Sequence, residues 1–474
     1  MDRKWWTLLA VCTGVFMLLL DITIVNVALP DIEHAFGASL SDLQWVIDAY
    51  ALTLAALLLT AGSIADLAGR RKVFATGIVI FTVGSALCGL AQSATMLSLS
   101  RGFQGIGGAI MFATALALLA QAFAPKERGV AFAVFGATTG VGVAVGPVLG
   151  GALVSGLSWR WIFFVNLPVG VFALGVTLAK VQESKLPHAP RPDWAGFVSF
   201  SLSLAGLVYG LIHSQAAGWG STSVLASLGA AVVLMVAFIV IELRQHQPML
   251  DLTLLRVPTF DGGLIAAWAV SASIFSLLTY LVLFIQNILG YSAVQAGVRF
   301  LPFTGVIFFA SAAAGRLTAK VPTRVLLAAG FALVTAGLLL MRGLTPADGW
   351  IHFLPGFIVA GIGVGLVNVP LASTAVGVVS QERAGMASGI NSTFRQIGVA
   401  TGVAGLGTIL ASQIKSHVVA NLAATPLAAH SHQLGAAISS GSLGAATHGL
   451  SPRLQGLVFT AAKGGYVHAL NTTC

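Results

Sequence analysis

GSIADLAGRRK, residues 62–72, is a short polar segment between two long apolar ones, 45–61 and 73–91. An ion in the hydrocarbon of a bilayer costs about 3 kcal/mol or more, so this segment is expected to form a tight loop at a membrane surface. Arg70, Arg71 and Lys72 favour the cytoplasmic side, where loops are enriched in lysine and arginine.

The composition places the rest of the chain in the membrane as well. Of the 474 residues, 57% are hydrophobic and 8% charged, whereas a soluble domain carries roughly 25% charged residues. A helix needs about 20 apolar residues to cross a bilayer. Thirteen segments meet this requirement, which predicts an all-α polytopic membrane protein: 6–29, 45–64, 73–91, 97–121, 130–155, 162–180, 194–213, 222–242, 262–286, 296–315, 324–341, 351–374 and 387–412.

The distribution of loop cations predicts the orientation. With the N-terminus in the cytoplasm, the short external loops hold only Arg160 and Arg342, whereas the cytoplasmic loops hold fourteen lysines and arginines between Arg70 and Arg383. The net charge of +9 therefore indicates membrane topology and contact with lipid head groups rather than nucleic-acid binding.

The chain also repeats itself at a shift of about 254 residues. Repeated transporter halves place the substrate site between them, near the membrane midplane. Asp66 has no acidic counterpart, because Ala319 stands there. Three pairs carry the repeat: Gly62-x-Ile64…Gly69-x-Arg71 with Gly315-x-Leu317…Pro322-x-Arg324, Arg101-Gly102-Phe103 with Pro355-Gly356-Phe357, and Glu127-Arg128-Gly129 with Glu382-Arg383-Ala384-Gly385.

Residues 62–72 resemble the loop between the second and third spans of the major facilitator superfamily, G-x-L-A-D-R-x-G-R-R. Leu67 replaces the usual arginine. Two extra spans, 194–213 and 222–242, lie between the repeats, so the chain is similar to the fourteen-span drug:proton antiporter branch, with the last span apparently missing. The resemblance implies two six-helix bundles plus two inserted central helices. The matching residues, expected to form an inner gate, are Gly62, Asp66, Gly69, Arg70 and Arg71.

The expected division follows from this resemblance. Residues 1–180 would form the N-terminal six-helix bundle, and 181–258 a linker with the two inserted spans. Residues 259–412 would form the C-terminal bundle with spans 9–13, and 413–474 an external loop with a truncated last span.

Two carboxylates are candidates for binding protons or a substrate cation. Asp21 lies about 12 Å inside the outer end of the first span, at about 1.5 Å per residue, in a segment that resembles the first-span motif of the fourteen-span branch. A carboxylate at that depth is a functional candidate, although a structural ion pair would also explain it. Asp48 lies in the outer half of the second span.

Arg101 and Gln104 share one face of the fourth span and match the family motif R-x-x-Q-G-x-G. The resemblance implies a role in proton coupling. In physical terms, Arg101 would stabilise the charged form of a nearby carboxylate, either Asp21 or Asp48. The alternative is a purely structural buried pair.

The fifth span has glycines at intervals of four, which let another helix approach closely, and a proline that bends the helix. The pattern resembles the antiporter motif of exporters. In the gate segment, Asp66 is expected to cap or pair with helix ends of the neighbouring half. The residues of this antiporter helix are Gly142, Gly146, Pro147, Gly150 and Gly151.

A wide apolar cavity with few polar groups suits large lipophilic substrates. Candidate lining residues are Asn26, Tyr280, Phe284, Asn368, Asn391 and Arg395. No metal site, no cofactor and no catalytic arrangement is expected, since His417, His430, His432 and His448 are irregularly spaced and no phosphate-binding loop occurs.

These observations predict a proton-coupled antiporter of the bacterial inner membrane, multi-pass with a cytoplasmic N-terminus, and not an enzyme. It would export hydrophobic or cationic drugs or antibiotics by alternating access. The resemblance predicts that it acts as a monomer, with the lipophilic substrate, protons and the bilayer as its partners. Two alternatives remain open: a dedicated exporter of one endogenous metabolite or self-made antibiotic, and a non-transporting fragment or membrane sensor.

Overall fold

The computed structural model describes residues 2–38, 40–124, 127–184, 193–245, 248–318, 320–380, 383–439 and 450–473, and these contain no β-strand. Ala319 and His448, both considered above, lie outside them. The first half comprises α1 (Arg3–Phe36), α2 (Leu40–Ala68), α3 (Arg70–Gly89), α4 (Ala94–Ala122), α5 (Arg128–Gly156), the single turn α6 (Trp161–Phe164) and α7 (Asn166–Lys180).

Two helices, α8 (Trp194–Ala217) and α9 (Thr222–Arg244), separate the halves, followed by a 3₁₀ turn at Leu252–Arg256. The second half begins with α10 (Pro258–Val270), which continues through π-helical Ser271–Phe275 into α11 (Ser276–Leu283) and π-helical Phe284–Ile288. The remaining helices are α12 (Ala293–Leu317), α13 (Thr323–Leu340), α14 (Leu354–Gly377), α15 (Ala384–Leu422), α16 (Ser431–Ser439) and α17 (Pro452–Thr473), with 3₁₀ turns at Trp350–Phe353 and Ala428–His430.

Thirteen helices in the described ranges are long and apolar enough to cross a membrane. Each overlaps one of the thirteen segments predicted from the sequence, so the all-α polytopic fold is confirmed. The inserted pair is present too: α8 and α9 pack on each other, and α8 also packs on α2 and α15.

The C-terminal part differs from the expected division. The helix that sequence analysis ends at 412 runs on to Leu422, because Ile414, Val418 and Leu422 recur every four residues and are all buried. Helix α17 lies in the segment expected to hold an external loop and a truncated last span; it is continuous through Lys463 and Gly464 and packs along α15.

The two halves meet along two helix pairs, α2 with α15 and α5 with α12. A shift of about 254 residues carries α2 onto α12 and α5 onto α15, so the two pairs are counterparts within the repeat. Each pair has a glycine–glycine contact. A Cβ on Gly62 would lie 3.0 Å from the carbonyl carbon of Gly385, and one on Gly129 would lie 2.6 Å from the carbonyl oxygen of Gly315. The repeated glycines thus let the halves touch backbone to backbone.

Candidate transport site and gate

A buried polar cluster lies around Asp21 in the first half. The carboxylate is fully buried, with 0% of the residue exposed. Its Oδ1 accepts hydrogen bonds from Gln104 Nε2 and Asn166 Nδ2, both at 2.9 Å, and its Oδ2 accepts a short one from Arg101 Nη1. A buried carboxylate needs such compensation, because an unpaired one would change its protonation state or unfold the site.

Arg101 joins three helices at this cluster. Besides Asp21 on α1, it donates from Nε to the carbonyl oxygen of Val46 on α2 at 3.2 Å and from Nη1 to Gln104 Oε1 on its own helix at 2.7 Å. The Arg101 Cζ lies 4.2 Å from the ring centroid of Tyr50, a cation–π contact. The position of α1 against α2 and α4 therefore depends on the charge at Asp21.

Asn166 belongs to the same cluster and is not among the residues predicted from the sequence. Its Nδ2 donates to Asp21 and also approaches Ser85 Oγ at 2.9 Å, while Ser85 donates to the carbonyl oxygen of Phe163. The available sequence signal is an asparagine near the start of the predicted span 162–180, directly after several aromatic residues.

Asp48 is not the partner of Arg101. The two α2 residues that contact Arg101 are Val46 and Tyr50, each two positions from Asp48, and two positions rotate a helix by about 200°. Asp48 instead lines a cleft on the α8 side of α2. Of the two candidate partners, the structure pairs Arg101 with Asp21.

Residues 62–72 do not form the predicted loop, and most of them are helical. Residues up to Ala68 complete α2 and α3 starts at Arg70, so Gly69 alone connects them. Its φ of 112° lies in a region that residues with a Cβ rarely adopt. The polar residues that suggested a loop keep helical structure because they find partners at the helix ends.

Asp66 reaches across to the other half. Its Oδ1 accepts a hydrogen bond from Gly385 N at 3.0 Å and its Oδ2 one from Met386 N at 2.9 Å. These are first-turn amides of α15, whose own N-cap residue, Arg383, makes no side-chain cap. Arg70 donates to Asp66 Oδ1 from Nε at 2.9 Å and Nη2 at 2.8 Å. A carboxylate of one half thus caps a helix of the other, where the helix dipole favours an anion.

Glu183 stabilises the neighbouring end of α3 and was not anticipated. Its carboxylate accepts hydrogen bonds from Arg71 N at 3.0 Å and Lys72 N at 3.2 Å. Arg71 Nη1 lies 3.4 Å from the carbonyl oxygen of Val181. Arg71 therefore fixes the segment after α7 to the α2–α3 corner rather than crossing to the second half.

The connection after α9 also lies against this gate. Ser63 Oγ donates to the carbonyl oxygen of Met249 at 3.4 Å, and Arg383 Nη1 pairs with Asp251 Oδ2 at 2.8 Å. The hydroxyl of Thr253, with help from Arg383, holds the pKa of Asp251 below its ordinary value. The inserted segment is thereby connected to both helices of the gate contact.

The glycines of α5 divide between two neighbours. A Cβ on Gly142 would lie 3.1 Å from Leu19 Cβ, one on Gly146 2.8 Å from Thr23 Cβ, and one on Gly150 2.7 Å from Ile24 Cγ1, all on α1. Gly151 instead faces Val294 of α12. Pro147 lies inside the helix between these contacts. Of the four glycines predicted for the antiporter helix, three therefore pack within the first half and Gly151 faces the second.

The predicted cavity residues do not form one group. Phe284 is fully buried in the core of the second half, against Phe353 at 5.9 Å and Tyr466 at 6.4 Å, so its assignment to the cavity is wrong. Tyr280 donates to the carbonyl oxygen of Val403 at 2.6 Å within that half, and Asn26 is exposed on α1. An aromatic residue in a span carries no sequence signal that separates core from cavity.

Asn368, Asn391 and Arg395 do belong together. Arg395 Nη2 donates to Asn368 Oδ1 at 3.2 Å. Asn391 lies one turn before Arg395 and is 1% exposed, and no residue that the structure describes accepts a hydrogen bond from its Nδ2. A Cβ on Gly136 of α5 would lie 3.8 Å from Asn368 Cβ, so this group lies at the junction of the halves. None of the ion pairs among the described residues involves Arg395.

Comparison with known proteins identifies the family. Residues 11–403 match the model of the Major Facilitator Superfamily. The chain belongs to this superfamily. The multidrug resistance protein Stp of Mycobacterium tuberculosis is 38% identical over 411 residues, which cover 86% of this chain and 76% of Stp. The tetracenomycin C resistance and export protein of Streptomyces glaucescens is 35% identical over 413 residues, with 87% and 77% covered.

Solved structures agree on the fold of this superfamily member. The crystal structure of the human organic anion transporter MFSD10 matches with a TM-score of 0.62 at 15% identity and covers 100% of both chains. As a major facilitator protein, the chain is a membrane transporter and not an enzyme. Its thirteen candidate spans and bacterial relatives make it a multi-pass protein of the bacterial inner membrane.

In this transporter, the α1–α5 contact predicts the effect of one substitution. Gly146→Ala places a Cβ 2.8 Å from Thr23 Cβ, and overpacking of this kind costs about 1–3 kcal/mol. We expect a lower melting temperature of the purified protein and slower transport. Gly156→Ala is the matched control, because a Cβ at Gly156 on the same helix meets no atom within 4 Å. Equal melting temperatures for the two variants would show that α1 and α5 are not closely packed.

Proposed function

We propose that this transporter exports lipophilic drugs or antibiotics, cationic ones among them, in exchange for protons by alternating access. The observation that carries the proposal is the buried pair of Asp21 and Arg101. The pair supports the proposal because a carboxylate and its counter-ion lie where α1, α2 and α4 meet. A carboxylate fixed inside a membrane protein is a functional candidate for that reason.

Protonation of Asp21 would remove the counter-ion of Arg101. The guanidinium stays charged, so it must find water or another acceptor, and its contacts with Val46 and Gln104 cannot remain as they are. The hydrogen bonds that Gln104 and Asn166 donate to Asp21 also weaken, because a neutral carboxyl group is a poorer acceptor than a carboxylate. A proton therefore loosens α1 from α2 and α4, which is the coupling between proton binding and helix movement that antiport requires.

The Asp66 contact is the proposed gate. Two hydrogen bonds to a charged acceptor contribute about 1.5–3 kcal/mol each, so this end of the molecule opens only when another interaction compensates for their loss. We place this end in the cytoplasm, in line with the Arg70–Lys72 cluster. Outward movement is supported by the α5 glycine pattern and by relatives named for drug resistance and export.

Transport in sealed vesicles tests this function. Purified protein in proteoliposomes with an imposed pH gradient should accumulate a lipophilic dye against its concentration gradient. A protonophore that collapses the gradient should stop this accumulation. Accumulation that is equally fast with and without the protonophore would rule out proton coupling.

The group around Arg395 favours a second candidate, a dedicated exporter of one compound rich in hydrogen-bond acceptors. Arg395 lies next to Asn368 and pairs with no carboxylate in the described part of the chain, so it offers donors to carbonyl or phenolate groups. A panel that compares quaternary ammonium dyes with anionic aromatic compounds separates the two. Extrusion of a single acceptor-rich compound, and of no dye, would favour the dedicated exporter.

A further inference from the structure

A cleft between α2 and the inserted helix α8 has no place in the mechanism above. It encloses about 130 Å³ and is lined by Gln44, Trp45, Asp48, Leu52, Tyr209, Ile212 and His213. It lies toward the end of the molecule opposite the Gly69 corner. Asp48 is eight residues from the start of α2, or about 12 Å along the helix axis.

The cleft joins one carboxylate to aromatic walls. The rings of Trp45 and Tyr209 lie 6.1 Å apart at 34°, and His213 stacks on Tyr209 at 5.1 Å. Among the described residues, none donates a hydrogen bond to the Asp48 carboxylate or pairs with it. An acid without a donor, beside two aromatic rings, is suited to a cation with an apolar surface, since both the charge and the ring faces attract it.

The carboxylates of Asp21 and Asp66 are already occupied. The Asp21 carboxylate is covered by three donors, and that of Asp66 by Arg70 and two amides of α15. Arg395, at the junction of the halves, repels cations. The cleft also offers too few oxygen ligands for a metal ion, and the described residues contain no metal-binding group of three or more side chains.

We propose that the α2–α8 cleft binds the substituted ammonium group of a lipophilic cation, with Asp48 as counter-ion and Trp45 and Tyr209 as walls. The inference rests on the proposed export of cationic compounds and gives the inserted helix a direct part in recognising them. The exposed rim at Gln44 and Trp45 lets the apolar part of the ligand extend out of the cleft. The same chemistry is found in drugs with quaternary ammonium groups and in choline head groups of lipids.

Binding of benzyltrimethylammonium to the full-length protein tests the cleft. The protein is placed in nanodiscs of phosphatidylglycerol, which has no cationic head group, and binding is followed by equilibrium dialysis. Asp48→Asn should weaken binding by about tenfold, which corresponds to about 1.4 kcal/mol. Tyr209→Leu should weaken it by about threefold or more, as loss of a cation–π contact predicts. Asp31→Asn removes an exposed carboxylate near the C-terminal end of α1, and this variant should bind the cation like the wild type.

Three comparisons decide the outcome. The uncharged isostere 2,2-dimethylpropylbenzene should not distinguish Asp48→Asn from wild type. Weaker binding in phosphatidylcholine nanodiscs would identify the lipid head group as a second occupant of the same site. Equal affinity of wild type and Asp48→Asn for the cation overturns the proposal, as does the absence of binding to wild type. A failed binding test leaves the protonophore test of transport untouched, and a failed transport test leaves binding intact.

Discussion

Asp21→Asn is expected to abolish transport driven by a pH gradient, while the protein still inserts into the membrane. The amide keeps the size of the carboxylate, and its carbonyl oxygen can still accept from Gln104 or Asn166. Arg101, however, remains charged in a buried site without a counter-ion. Removing one partner of a buried ion pair costs about 3–5 kcal/mol, so the melting temperature of the purified variant should fall as well.

A double variant separates coupling from stability. Asp21→Asn combined with Arg101→Gln removes both charges, and replacing both partners of a buried pair is often close to neutral for stability. We expect the melting temperature to recover and gradient-driven transport to stay absent. Asp31→Asn controls for the loss of an exposed carboxylate from the same helix. Recovery of gradient-driven transport in the double variant would show that the pair is only structural.

Much of this architecture could be predicted because it rests on local patterns. The thirteen spans follow from apolar segment lengths, and the contact of Asp66 with the second half follows from a charged residue at a span end that must find a partner. Arg101 could likewise be paired with a carboxylate, although only the structure decides between Asp21 and Asp48. The depth of two residues in a membrane can be estimated from the sequence, but the helix face on which they meet cannot.

Residues that act across long separations were missed. Asn166 contacts Asp21 across 145 positions and Glu183 contacts Arg71 across 112. Neither has a periodic pattern around it, since one lies at the start of α7 and the other in a polar connection. Phe284 was misplaced for the opposite reason, because apolar spans contain many aromatic residues and most of them pack in a core. The 62–72 segment is mostly helical, because capping partners outside it satisfy groups that would otherwise require a loop.

The repeat explains why glycine recurs at the gate. Gly62 and Gly315 are counterparts in the two halves, and so are Gly129 and Gly385. In the structure Gly62 contacts Gly385 and Gly315 contacts Gly129, so the same contact occurs twice, once for each pairing of the repeated helices. Of these two contacts, the one between Gly62 and Gly385 also has an aspartate beside it, Asp66, which caps α15. The halves therefore close through two similar backbone contacts, of which one is additionally held by charge.

Gly385→Val is expected to keep this end of the transporter from closing. A Cβ at Gly385 would lie 2.7 Å from Asp66 Cγ and would also meet the carbonyl oxygen of Gly62. The added group separates the carboxylate from the amides of α15, so both the packing and the cap are lost. A cost of about 1–3 kcal/mol for overpacking shifts the equilibrium between closed and open forms by about fivefold to 150-fold. Transport in vesicles should fall by a similar factor.

The control lies on the same helix. A Cβ at Gly405 meets no atom within 4 Å, so Gly405→Val should transport like the wild type. Cysteine labelling distinguishes a blocked gate from a damaged fold. With all three native cysteines, Cys12, Cys88 and Cys474, replaced, a cysteine introduced at Ser388, which is buried behind the contact with 0% exposure, should react with a membrane-impermeant maleimide faster in the Gly385→Val background. Unchanged labelling together with lost transport would mean that Gly385 acts on folding rather than on closure. Gly129→Val, at the counterpart contact without an aspartate, should give the smaller increase in labelling, because there the added group disrupts packing and no cap.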